Sequence, residues 1–152
     1  MKRIALMALL VALATGPLSS ADITRGPTFA GQFITDAEAA VDFKVISRGG
    51  EPVKVRFNAR GIPIRCEDEP ALRRYDRLGV TAKFLSPRTF EGRIVAIPNE
   101  GFRELFKLQG RLLSDGRAQG FVFYFRDTGD EPETDDECST EGLLRWTADR
   151  AG

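Results

Sequence analysis

Histidine is missing from all 152 residues. Without it the chain has no histidine-based catalytic triad, none of the common zinc ligand sets and no histidine-driven pH switch. Carboxylate chemistry and a serine-lysine pair stay open. Net charge is missing too: 22 Lys plus Arg stand against 22 Asp plus Glu. Nothing draws the chain as a whole onto a phosphate backbone, so nucleic acid is not an expected partner. Tryptophan occurs once and cysteine twice.

The chain opens with MKRIALMALLVALATGPLSSA, in which Lys2 and Arg3 precede an apolar run that ends before Gly16-Pro17. Small residues at Ser19 and Ala21 complete the pattern of a secretory signal peptide over residues 1–21, cleaved before Asp22. The apolar run is too short for a stable bilayer span and no second one follows. The expectation is a secreted or periplasmic protein with no transmembrane anchor after signal removal. Removing 21 of 152 residues leaves 131, enough for a single domain over residues 22–152. Loss of Lys2 and Arg3 leaves 20 cations against 22 anions, a formal net of −2.

Both cysteines, Cys66 and Cys138, fall in the mature part, where an oxidising compartment favours their pairing. Such a link would close a long loop and raise the unfolded state by roughly 4 kcal/mol on the chain-entropy account.

Period-two alternation follows the leader. In TFAGQFI, Phe29, Gly31 and Phe33 share a side; in AVDFKVI, Val41, Phe43 and Val45 do; in VKVRFNARG, Val53, Val55 and Phe57 oppose Lys54, Arg56 and Asn58. Antiparallel strands with one buried and one wet face carry this pattern. Gly49-Gly50 predicts a tight hairpin between the last two. EDEPALRRYDRLG, residues 67–79, reads as a charged connecting loop with one helical turn. VTAKFLS, RTFEGRIVAI and GFRELFKLQGRLL read as strands, with Gly110 tipping the last away from a helix. GFVFYFRD reads as a central strand with Phe121, Phe123 and Phe125 on one side and Val122 and Tyr124 on the other, both sides covered.

Candidate chemistry is sparse. Residues 127–141 hold eight acids and no base. Asp130, Asp135 and Asp136 are the candidate calcium ligands there, but the spacing matches no calcium loop, so a solvated loop is the favoured reading and no cofactor is implied. Glu91, Glu100 and Glu104 lie near apolar strand residues and are candidates for paired-carboxylate glycoside chemistry, a weak signal because 22 acids supply many such pairs by chance. Glu104 would share a strand face with Phe102 and Phe106, but a strand edge is the favoured placement. Arginines 48, 56, 60, 65, 73, 74 and 77 make the first half the more basic; Arg56 with Tyr75 marks a candidate anion or polysaccharide surface, weighed against the ordinary wet face of a sheet. Trp146, in the tail CSTEGLLRWTADRAG, is a candidate sugar platform, and more simply a core plug whose indole N–H finds a carbonyl.

Phe29-x-Gly31, the Phe90-x-Gly-x-Ile94 stretch, Gly-Phe-x-Phe at residues 120–123, Cys138-x-x-x-Gly142 and Trp146-Thr147-Ala148-x-Arg150 together resemble a family of small exported bacterial, largely actinobacterial, all-β domains of uncharacterised function that end in Cys, Gly and Trp-Thr-Ala-x-Arg. The resemblance implies an all-β fold and the disulfide, and brings no activity or ligand. In that family the glycine follows the cysteine more closely than it does here.

The expected protein is thus an all-β antiparallel sandwich or flattened barrel of about seven to nine short strands, monomeric, acting as a structural or binding domain without catalysis toward an envelope protein or glycan. The alternatives are a carboxylate-based hydrolase acting on carbohydrate or lipid and an inhibitor of an extracellular enzyme.

Overall fold

The computed structural model describes residues 23–67, 69–96, 103–127 and 137–152; the expected signal peptide and the candidate calcium ligands Asp130, Asp135 and Asp136 lie outside the described residues. Nine strands run in chain order: β1 Ile23–Phe33, β2 Asp36–Arg48, β3 Glu51–Cys66, β4 Glu69–Phe84, β5 Thr89–Ala96, β6 Arg103–Leu112, β7 Arg117–Asp127, β8 Cys138–Ser139 and β9 Leu144–Arg150. Every pairing is antiparallel, and the described residues contain no helix.

The sheet closes on itself. Each strand from β1 to β7 pairs with the next, then β9 pairs with both β7 and β1, giving an eight-stranded ring. The two-residue β8 spans the remaining gap between the ends of β3 and β7. It brings Cys66 opposite Cys138, and the two form the expected disulfide. The chain thus builds the expected all-β antiparallel fold, as a ring and not as the sandwich that the sequence left open beside it.

An eight-stranded ring is just wide enough for side chains to fill, and here aromatic rings fill it. The register lines up Phe29, Phe43 and Phe57 across β1, β2 and β3 on the inner face. On the facing wall one register row reads Phe33, Trp146, Gly120, Gly110 and Phe90 across β1, β9, β7, β6 and β5. The two glycines are spaces for the two large rings: a Cβ at Gly110 would fall within the Phe90 ring, and one at Gly120 would lie 2.6 Å from Trp146 Cζ2. Trp146 then reaches Phe43 and Phe57 on the first wall, with centroids at 5.7 and 5.3 Å. It is 0 % exposed, so the expected core plug is correct. Its indole Nε1 nevertheless finds no hydrogen-bond partner among the described residues, against expectation.

Two sequence readings are corrected. Residues 67–79 form no loop with a helical turn; from Glu69 onward they are the first part of β4, paired with β3. The spacing of Ala71, Leu72 and Tyr75 suited a helix, but pairing to a long neighbour outweighs so weak a local preference. Second, Phe121, Phe123 and Phe125 are not covered by a second layer: Val122 and Tyr124 point inward and are buried, while the three phenylalanines sit half-buried on the outer face.

Alternation in β3 switches face at Gly61. Val55, Phe57 and Ala59 are buried before it, Ile62, Ile64 and Cys66 after it. Gly61 has φ 63°, a left-handed conformation that favours glycine. Arg74 clamps the bend, donating to the Gly61 carbonyl at 3.2 Å while forming ion pairs with Asp36 and Glu38, each at 2.8 Å. The Arg74 guanidinium holds the Asp36 carboxyl below its ordinary value.

Candidate functional site

Two arrangements bring polar and aromatic groups together. The first is inside the ring, near the disulfide. Glu104 shares the inner face of β6 with Phe106 and Leu108, the strand-face alternative rather than the strand-edge placement favoured from the sequence. Its Oε1 accepts hydrogen bonds from the hydroxyls of Tyr124 at 2.8 Å and Tyr75 at 3.2 Å, whose rings are 4.9 Å apart. Burial, reinforced by the Glu104 charge, pushes both phenols above their ordinary value. Arg126 stands opposite Glu104 in register and its charge acts the other way on both phenols. Both phenols are thus held protonated as donors to a carboxylate, which suits an internal tie between β4, β6 and β7.

Thr140 secures the neighbouring strand. Its hydroxyl accepts from the Tyr124 N–H at 3.2 Å and donates to the Gly142 carbonyl at 2.7 Å, extending the β7–β8 contact by one residue.

The second arrangement lies outside, across β4, β5, β6, β7 and β9. A groove of about 460 Å³ is lined by Lys83, Arg93, Lys107, Gln109, Phe121 and Phe123. A second hollow of about 490 Å³ adjoins it through Leu85, Glu91, Gln109 and Phe121 and continues over Arg111, Gln119, Arg145 and Thr147. The alternation that buries Val122 and Leu108 turns Phe121, Phe123, Lys107 and Gln109 outward, so the lining follows from strand period alone. Leu85 and Leu143, 65 % and 66 % exposed, rim it. The Arg145 guanidinium lies 5.6 Å over the Phe121 ring, a cation-π contact that orients it within the groove.

The residues singled out from sequence do not form one site. Trp146 belongs to the core. Tyr75 joins Tyr124 and Glu104 inside, whereas Arg56 is exposed on the outer face of β3. Glu91 and Glu104 stand on opposite faces of the sheet, one in the groove and one inside, and Glu100 lies outside the described residues. Among the described residues, no cluster of three or more His, Cys, Asp or Glu is placed to hold a metal. Sequence reasoning missed Phe121, Phe123, Lys107 and Arg93. The available signal was that β7 is apolar on both faces in a chain too short for a second layer.

No protein-family model, curated protein or solved structure matches the chain.

Proposed function

We propose that this chain is an exported binding domain without a catalytic site, and that its ligand lies in the outer groove over β5, β6 and β7. The observation that carries the reading is the outward pair Phe121 and Phe123 between cations and the Gln109 amide, on a ring whose interior is already filled. Ligand sites combine apolar surface with a few placed polar groups, and the groove has both. The Cys66–Cys138 disulfide supports export, since such links persist in oxidising compartments. No helix among the described residues is long and apolar enough to cross a membrane.

The test is saturable binding, by calorimetry, to a panel of envelope glycans and exported proteins, repeated with Phe123→Ala. The expected result is weaker binding by the variant at nearly unchanged melting temperature, with the bound glycan intact afterwards. Turnover of a glycan or lipid that disappears in Glu104→Gln would replace the reading with the carboxylate hydrolase.

One observation favours the inhibitor as a second reading. Between β4 and β5 the turn at residues 85–88 is tied by Ser86 Oγ, which accepts from the N–H groups of Arg88 and Thr89, and by Leu112 N–H donating to the Arg88 carbonyl. A rigid turn presenting Leu85 and Arg88 has the form an enzyme's substrate pocket accepts. Inhibition of an extracellular hydrolase that is lost in Leu85→Ser or Arg88→Ser, and kept in Phe123→Ala, would establish it.

A further inference from the structure

On the outer face of the ring, cations stand opposite cations on three strand pairs. Lys44 stands directly opposite Arg56 on the outer faces of β2 and β3, Lys54 opposite Lys83 on β3 and β4, and Arg93 opposite Lys107 on β5 and β6. Like charges directly opposed across antiparallel strands repel and destabilise the sheet. None of the six is in an ion pair among the described residues, although Arg60, Arg65, Arg74 and Arg117 all are. A chain of zero net formal charge thus opposes cation to cation on three strand pairs. Lys83, Arg93 and Lys107 line the groove, Lys54 adjoins it beside Lys83, which also faces Glu91, and Lys44 with Arg56 lies farther round the ring on β2 and β3. The groove itself adds Arg111 and Arg145 against the single acid Glu91.

Resting on the binding-domain reading above, we infer that the ligand is an anionic glycan, a sugar polymer carrying carboxylate or sulfate groups, laid across the strands from the Lys54–Lys83 pair onto Phe121 and Phe123. Repeated anions convert the repulsion within each cation pair into attraction shared by both members. The phenyl groups meet the apolar C–H faces of sugar rings. Gln109 and Gln119 each offer both donors and acceptors, which hydroxyls need.

An acidic peptide fits less well. Extended peptides bind through main-chain hydrogen bonds at a free strand edge, and β6, β7 and β9, which carry Lys107, Phe121, Phe123 and Arg145, are paired on both sides. Because β4 and β5 pair only at Lys83–Glu91 and Phe84–Phe90, the polyglutamate titration below decides whether a peptide lies there. Nucleic acid lacks the strongly basic domain that usually accompanies it.

The experiment is calorimetric titration of the disulfide-intact protein with an oligogalacturonate, its neutral methyl ester, a sulfated glycan, polyglutamate and a thymidine oligomer. Binding of the oligogalacturonate or the sulfated glycan, and not of the neutral ester, is expected, weakening as salt rises. Arg93→Gln with Lys107→Gln should weaken it by about tenfold or more, the worth of a charge-assisted contact. Arg150→Gln, away from the groove, should not. The uronate and sulfate arms distinguish which anion the site takes.

Equal binding of the neutral ester, or tighter binding of polyglutamate or thymidine oligomer, overturns the anionic-glycan inference. If Phe123→Ala still weakens that binding, the groove reading survives. Failure of both anionic glycans to bind overturns the inference outright, and insensitivity of every bound ligand to Phe123→Ala overturns the groove reading itself.

Discussion

The Trp146 indole on β9 lies 5.3 Å from the Phe57 ring on β3, centroid to centroid, so one side chain joins two strands that do not pair with each other in the sheet. Truncation to Trp146→Ala should cost about 3–5 kcal/mol, the range for emptying a large aromatic site. Trp146→Phe should cost less, because it keeps ring contacts and removes a buried N–H that has no acceptor among the described residues. Urea unfolding of both variants measures the difference. As the only tryptophan, Trp146 should also emit in the blue and resist acrylamide; a red-shifted, readily quenched emission would contradict its burial.

The disulfide joins residues 72 positions apart and fastens β8 to β3. Replacing both cysteines by serine should lower stability by up to about 4 kcal/mol, mostly by freeing the unfolded chain. The urea midpoint of the oxidised protein should fall to nearly the same value on reduction. A midpoint indifferent to reductant would show that β8 is held by its other contacts alone.

Asp36 gives a pH dependence of known sign. Its carboxyl is held below the ordinary value of 3.8, first by the hydrogen bond from Arg74. A depressed native value means that the unfolded state binds more protons in that window. The contribution is therefore fully present above the unfolded value and is lost as pH falls through the native one. Wild type should exceed Asp36→Asn in stability near neutrality, and the gap should close as urea melts are carried below about pH 4. A constant gap down to the most acid melts would mean that the clamp does not depend on the ionised carboxylate.

Tyr75 and Tyr124 are the only tyrosines, so phenolate absorbance reads this pair alone. Both should ionise above the ordinary 10.0, because burial and the Glu104 charge oppose the phenolate. With raised native values, the stabilisation is complete below the unfolded value and is lost as pH rises through the native ones. Glu104→Gln should bring both ionisations down. Ordinary titration of both phenols in the native wild type would show that the tie to Glu104 does not form in solution.

Much of the fold is legible in strand period. The inward sets of β1, β2 and β3 follow from alternation up to Gly61, whereas Glu104, favoured for a strand edge, lies on the inner face with Phe106. Legibility fails where local pattern has two readings. The first part of β4 is charged and lacks clean alternation, and only its pairing with β3 across Ile62–Tyr75 and its neighbours makes it a strand. In β7 both faces are apolar, so period alone cannot say which one is inside.

By themselves, then, the residues determined the strand class, the cysteine partners and the burial of the lone tryptophan, because period, count and size are local properties that survive any arrangement of strands. Tertiary structure alone decided that Phe121 and Phe123 face outward, that Lys54 meets Lys83 and Arg93 meets Lys107, and that Glu104 receives two phenols from distant strands. Those relations depend on ring closure and inter-strand register. Register is selected by burying the most apolar face of every strand at once, a condition that no single segment contains.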